Sequence, residues 1–312
     1  MDPIHSNRPR ILIVGAGGVG GYFGGRLAQH GTAAVTFLAR GAHLQALKTG
    51  GLTLHSIDGD AHIPVDAREN IDDLPPFDAV VVAVKHHHLP SALQRIAPAI
   101  GAQTVVIPLL NGITATPTLQ RRFPHATVLG GIAFIGSRVE QPGVIGHTAA
   151  GSLTLGVWPA GEGSSVERWL TLMQQAGIAA HRSRNIQQAA WKKMVWNCGF
   201  NAFTCLTGQW VHELLIHPEQ VDTVRSAMIE TIAVARAQGV RIEDTFADQT
   251  LESTRTGGAH VKTSMLQDRE GGKPLELDAM NREVVRLGRA AGIPTPVNQT
   301  LCALLAPLER GD

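Results

Sequence analysis

Cysteine is scarce in this sequence: Cys198, Cys205 and Cys302 are odd in number and none belongs to a CxxC pair. That argues against a disulfide framework and against a cysteine metal site, and it fits a reducing, intracellular setting. An excess of charge is also missing, 27 Lys and Arg standing against 26 Asp and Glu. Bulk electrostatics therefore give no reason to expect a nucleic acid or a membrane surface as partner. No apolar run suits a membrane span; Met1 to Arg10 is polar and contains proline, and the first apolar stretch is broken at once by glycines. Neither a signal peptide nor a membrane helix fits that opening, and internal repeats and low-complexity tracts are lacking too. What remains is a globular protein expected in the cytoplasm, with a small molecule as its partner and either a monomeric or a homodimeric state. Its 312 residues exceed what one core usually serves, so two domains are expected.

The first half reads as α/β. Ile11 to Val14 is a short β-branched run bounded by Gly15; Val19, Phe23 and Leu27 then keep helical spacing up to Gly31, and Ala34 to Leu38 is a second apolar strand. This is the order and length of one βαβ unit. The runs Ala79 to Val84 and Thr104 to Leu110 are apolar throughout, as expected of parallel strands covered on both faces. Beyond Asn111 the chain becomes glycine-rich and alternating, through Leu129 to Phe134 and Val144 to Val157, which predicts a less regular or antiparallel extension. From about Asn185 onward helical periods dominate, over Gln187 to Leu206, Glu219 to Ala237 and Leu275 to Ala291, so this half is expected to be all-helical. The reading is an N-terminal Rossmann-type dinucleotide-binding domain over residues 1–184 and a helical domain over 185–312.

The loop Gly15-Ala16-Gly17-Gly18-Val19-Gly20 is a GxGxxG between a predicted strand and a predicted helix. In that setting the first glycine permits the tight turn, the second admits a pyrophosphate to the backbone, the third allows close packing, and the helix N-terminus offers free N–H groups. At the end of the second strand the acid that would bind a ribose 2′-OH is missing; Phe37, Leu38, Ala39 and Arg40 stand there. Arg40 suits a 2′-phosphate, which points to NADPH as cofactor. Gly15, Arg40, Lys85 and Asn111 all follow predicted strands, where ligands of open α/β sheets bind. Lys85 would reach the adenosine phosphate region, and Asn111 the nicotinamide or substrate. Taken one by one, a strand-end Lys or Asn is as readily a turn residue.

Lys193, Asn197 and Asn201 recur at i, i+4 and i+8, each turned by only about 40° from the last on a helix. Trp191, Met194, Val195, Trp196, Phe200 and Phe203 surround them in the sequence. The row therefore faces a cleft if the helix is buried on its other sides, or solvent if it is not; spacing alone leaves both readings open.

The combined pattern of GAGGVGG, Asn111-Gly112-Ile113, Trp-x-Lys-x-x-x-Asn-x-x-x-Asn at Trp191 to Asn201, Ser264-Met265-Leu266-Gln267-Asp268, Glu276 and Pro296-x-Asn298 resembles the ketopantoate reductase family over nearly the whole chain. The resemblance implies reduction of 2-dehydropantoate to (R)-pantoate, in pantothenate biosynthesis, by NADPH bound to a Rossmann domain joined to a helical one. It implies Lys193 as the general acid and Glu276 as the group that binds a substrate hydroxyl and holds the lysine charge. It also implies Asn197 and Asn201 at the substrate's hydroxyl or carbonyl side, Ser264 at its carboxylate, and Asn111 between nicotinamide and substrate. By residue type alone, Glu276 would pass for a first-turn helix acid and Ser264 for a cap or loop hydroxyl.

Four features depart from the family pattern: Leu110 and Leu275 where polar residues are common, Asn281-Arg282 for a common Asn-Gly, and the run His86-His87-His88 after Lys85. They leave room for a different 2-oxo acid. Three adjacent histidines cannot easily turn toward one ion, so no metal site is expected. Two rival readings are a dinucleotide-binding sensor without turnover, which would have no use for Lys193 and Glu276, and a two-domain 3-hydroxy acid dehydrogenase.

Overall fold

The structure, a computed structural model, describes residues 8–257 and 260–311. The leader reading of the first ten residues falls mostly on residues 1–7, outside the described ones. The chain divides into two compact units, Met1–Leu110 with Thr114–Ile186, and Asn111–Ile113 with Gln187–Asp312. Among the described residues no helix is long and apolar enough to cross a membrane.

The first unit is a Rossmann-type α/β domain. Its order is β1 (Arg10–Val14), α1 (Gly18–Gln29), β2 (Ala34–Leu38), α2 (Gly41–Gly50), β3 (Leu52–Ser56), β4 (Ala61–Ile63), β5 (Asp66–Arg68), β6 (Ala79–Val82), α3 (Leu89–Arg95), β7 (Val105–Pro108), α4 (Ala115–Arg122), β8 (Thr127–Gln141), β9 (Val144–Val157), α5 (Ser164–Gln175) and β10 (Ala179–Arg182). The strands form one sheet in the order β4-β3-β9-β8-β7-β6-β1-β2-β5, with β10 beside β9. From β5 to the start of β8 the pairs are parallel. Successive side chains on the central strands alternate between two cores: Ile11, Ile13, Val81 and Ile107 enter one, and Leu12, Val14, Val80, Val82 and Val106 the other. Burial on both faces explains why these strands are apolar at every position.

The alternating, glycine-rich stretch after Asn111 becomes the long antiparallel pair β8–β9, interrupted by three register shifts. Two expected strands end earlier than their apolar runs, at Val82 and Pro108. Helix α1 lies close on the sheet: a Cβ at Gly24 would come within 2.7 Å of the Phe37 ring, and one at Gly25 within 2.8 Å of Leu52.

The described part of the second unit is helical, with α6 (Ile186–Thr207), α7 (Val211–Leu214), α8 (Pro218–Ala237), α9 (Phe246–Gly257), α10 (Ser264–Glu270), α11 (Asn281–Ala291) and α12 (Pro296–Leu305). Its core gathers Trp191, Val195, Phe200, Met228, Leu277, Met280 and Val284. The expected helix over Leu275 to Ala291 is corrected: a 3-10 turn at Leu277–Ala279 precedes α11, and Met280, at φ −127° and ψ −106°, breaks the path between them. The helical spacing of Leu277, Met280 and Val284 arises because turn and helix bury their apolar side chains, one after the other, in the same core. α11 ends at Gly292, which takes the left-handed conformation at φ 69°, as a helix-stopping glycine does.

Candidate active site

In the first unit the loop after β1 is built by exclusion of side chains. Gly15 turns at φ +93°, and a Cβ there would lie 2.9 Å from the carbonyl oxygen of Ala83. A Cβ on Gly20 would come within 2.0 Å of the Gly15 carbonyl oxygen, so the helix can start against the loop only without one. Gly17, the residue just before α1, differs: a Cβ there would meet nothing within 4 Å. Its openness leaves the backbone approachable at a helix N-terminus, where free N–H groups favour an anion. Ala16 is buried and Val19 packs against the core, while Gly18 closes on the Ser137 carbonyl of β8, 2.5 Å from a hypothetical Cβ.

Arg40, in extended conformation before α2, is exposed, and its Nη2 lies 3.0 Å from His88 Nε2. Since guanidinium has only N–H donors, the imidazole nitrogen accepts. Burial, and then the neighbouring His87 and Arg40, hold the His88 pKa below the usual histidine value. Lys85 is partly buried, immediately before the single turn His86–His88. The three histidines have different partners: His88 faces Arg40, His86 faces Thr114 at 2.9 Å, and exposed His87 packs edge-on against the His88 ring at 4.2 Å between centroids. Among the described residues no three His, Cys, Asp or Glu side chains are placed to hold a metal ion.

In the second unit α6 carries Lys193, Asn197 and Asn201, and the polar row is inside: Asn197 is 5% and Asn201 2% exposed, with Lys193 partly buried. Lys193 Nζ donates to Asn111 Oδ1 at 3.0 Å, and Asn111 Nδ2 donates to Glu276 Oε2 at 3.4 Å. The asparagine amide is thus polarised between an ammonium and a carboxylate. Burial pushes the Lys193 pKa down to about 8, and the charge of Glu276 opposes that fall. Glu276 is 5% exposed and sits before the 3-10 turn, so the role of a first-turn acid on a long helix does not apply to it. Gly112 brings Asn111 to this turn, because at φ +87° it leaves only 2.3 Å between a hypothetical Cβ and the Ala279 carbonyl oxygen.

Asn201 Nδ2 points to Met280 Sδ at 3.1 Å, and its Oδ1 is buried without a partner. A buried amide oxygen left unpaired is costly and marks a place where a ligand hydroxyl could donate. Ser264 is exposed at the start of α10. The cap is Thr263, which accepts from Leu266 N and touches Thr204 Oγ1 at 2.6 Å. The structure therefore joins Lys193 to Glu276 through Asn111, and sets Asn197 and Asn201 along the same helix as Lys193. Arg282, unusual in the sequence pattern, forms ion pairs with Asp278 and Glu309, each at 2.6 Å. Asn281 and Asn298, 0% exposed, carry no role in the sequence reading; their signal was the Pro-x-Asn and Asn-Arg pattern, with no chemistry attached.

The model of the family described as ketopantoate reductase PanE/ApbA matches residues 11–160, and the model of its C-terminal part matches residues 185–309. The chain belongs to the ketopantoate reductase family. It is an oxidoreductase of that type. This family member is similar to the 2-dehydropantoate 2-reductase of Mesorhizobium japonicum, at 33% identity over 97% of this chain and 99% of that one. A crystal structure of 2-dehydropantoate 2-reductase from Geobacter metallireducens superposes with a TM-score of 0.89, at 34% identity over 96% of this chain and 99% of that one. The same fold occurs in a ternary structure of D-mandelate dehydrogenase with NADH and anilino(oxo)acetate, with a TM-score of 0.89 at 23% identity over 96% of this chain and 98% of the other.

Proposed function

We propose that this protein reduces the ketone of a small 2-oxo acid with NADPH, and that the acid is 2-dehydropantoate, giving (R)-pantoate. The observation that carries the proposal is the contact of Lys193 with Asn111 and, through it, with Glu276. NADPH, when bound, supplies the hydride that reaches the carbonyl carbon. One proton must reach the carbonyl oxygen, and Lys193 is the group that gives it. A lysine near pKa 8 is still mostly protonated at neutral pH, yet yields its proton far more readily than an ordinary one. Asn111 fixes Nζ in position, and Glu276 keeps the ammonium from losing its proton before substrate arrives.

Asn201, with its unpaired buried oxygen, accepts from the substrate hydroxyl, with Asn197 beside it on the helix. Ser264, exposed on α10, meets the carboxylate. On the first unit the loop Gly15 to Gly20 fits a pyrophosphate, because Gly17 leaves the helix N-terminus open, and exposed Arg40 with Lys85 fits a 2′-phosphate. In this reading residues 1–184 bind the dinucleotide and 185–312 supply the reacting groups. The setting is cytoplasmic, the partners are only the two small molecules, and the state is monomer or homodimer.

The test follows NADPH absorbance with purified protein and ketopantoate, with wild type beside Lys193→Ala, and repeats it with NADH and other 2-oxo acids. NADPH oxidation lost in the variant supports activity and acid together. Reduction of a different 2-oxo acid with ketopantoate inert overturns the substrate alone; buried Leu110 and Leu275, where polar residues are common in the family pattern, favour that second reading. No turnover with any acid, despite NADPH binding, overturns the catalytic assignment.

A further inference from the structure

Behind Glu276 lies a chain of buried amides that the catalytic reading leaves unused. Asn281, the first residue of α11, donates from Nδ2 to the Cys198 carbonyl on α6 at 3.0 Å and to Asn298 Oδ1 at 2.9 Å. Asn298 donates in turn to the Ala227 carbonyl at 3.1 Å and to Glu230 Oε2 at 2.7 Å. Glu230, on α8, also accepts from the backbone N–H groups of Val297 and Asn298 at the start of α12, at 2.8 and 2.9 Å. Four helices, α6, α8, α11 and α12, thus meet at two asparagine side chains that are both 0% exposed.

We infer that Asn281 and Asn298 are positioning residues of the active site, which hold the Glu276 turn at a fixed distance from the helix bearing Lys193. The inference rests on the roles given above to Lys193 and Glu276. Glu276 is joined to Asn281 by a single tight turn in which Ala279 N donates to the Glu276 carbonyl at 3.2 Å and Met280 N to the Leu277 carbonyl at 3.1 Å. Leu277, Ala279 and Met280 are all 0% exposed, so the turn cannot shift independently of its end.

That end is anchored twice to α6, by Asn281 on the Cys198 carbonyl and by Met280 Sδ on Asn201 Nδ2. Cys198 lies five residues beyond Lys193 on the same rigid helix. Asn281 cannot leave the Cys198 carbonyl by changing rotamer without also leaving Asn298 and orphaning a second buried amide. Asn298 itself is held by the Glu230 carboxylate, and a charged acceptor makes that hydrogen bond a strong one. Leu or Met at either site would fill the space but specify no such position.

The test compares full-length wild type, Asn281→Ala, Asn298→Ser and Lys193→Ala, measuring kcat and KM with ketopantoate against pH, NADPH affinity by fluorescence, and thermal stability. If Glu276 drifts from its place, kcat falls on the order of 10- to 100-fold with NADPH affinity unchanged. The basic limb of the pH profile also moves to lower pH, because Lys193 loses the carboxylate that raises its pKa. Asn298→Ser, which withdraws the acceptor but leaves Asn281 in place, moves both in the same direction by less, and serves if Asn281→Ala does not fold. A variant with lowered Tm but wild-type kcat and an unmoved limb overturns the inference and leaves Lys193 as it was. A wild-type profile without the limb, and an active Lys193→Ala, overturn the reading of the site and the inference with it.

Discussion

Raising the pH from 7 to 10.5 perturbs one group in a way that stability can read. Lys193 releases its proton at about 8 in the folded protein against 10.5 for an ordinary lysine, because burial disfavours the ammonium. Between those values the unfolded chain binds the proton and the folded one does not, so unfolding free energy rises with pH in that window. The full gap corresponds to about 3 kcal/mol, at about 1.36 kcal/mol per pH unit. Other titrations in that range are shared by Lys193→Met, so the difference between wild type and variant isolates this one. Urea unfolding followed by tryptophan fluorescence at pH 7.5, 8.5, 9.5 and 10.5 should show wild type gaining on the variant by about 3 kcal/mol in all, each pH unit contributing no more than about 1.4 kcal/mol. A gap between the two proteins that stays constant across this range would refute the assignment of a buried, charge-strained lysine.

Arg40→Ala should raise the KM for NADPH on the order of 10- to 100-fold, the loss of one or two charge-assisted hydrogen bonds, while the KM for NADH stays near its wild-type value; equal losses for both cofactors would count against a 2′-phosphate contact. Gly20→Ala pushes a Cβ to within 2.0 Å of a backbone oxygen that cannot yield, so the variant should lose dinucleotide binding in a fluorescence titration or fail to fold, and normal affinity would contradict the loop geometry. Asn201→Ala removes the unpaired buried oxygen and should raise the KM for the 2-oxo acid about tenfold with NADPH affinity unchanged; an unaltered KM would remove Asn201 from the substrate.

The sequence was informative where a single physical rule governs. Ile11 to Val14 and Ala79 to Val82 are apolar because they are covered on both faces, and the glycines at 15 and 20 stand where no side chain fits, so strand, loop and helix could be read from residue types. The short strands β3, β4 and β5 leave no such signal: Leu52–Ser56, Ala61–Ile63 and Asp66–Arg68 are three to five residues long and mixed in polarity, and they exist because neighbouring strands offer them hydrogen bonds. The break at Met280 was hidden for the opposite reason, since its side chain keeps helical spacing while its backbone does not. By sequence Asn111 follows a strand of the first domain, yet its contacts group it with the second unit. That grouping depends on Gly112 and the Ala279 carbonyl, which are 167 positions apart and linked by no local pattern. Ser264 next to Thr263 shows the limit of residue type, because either hydroxyl could cap α10 and only packing against Thr204 selects the second.

The close seating of α1 on its sheet bears on how cofactor preference could change. With Gly21 facing Ile145, Gly24 facing Phe37 and Gly25 facing Leu52, each with less than 3 Å of clearance for an added carbon, the helix has no cushion of side chains on which to rock or slide. Retuning this protein toward another dinucleotide is therefore closed along α1: a selection for altered cofactor use should return substitutions on the short connections that carry Arg40, which is exposed, and Lys85 and His88, which are partly buried, while leaving the glycine-lined helix untouched.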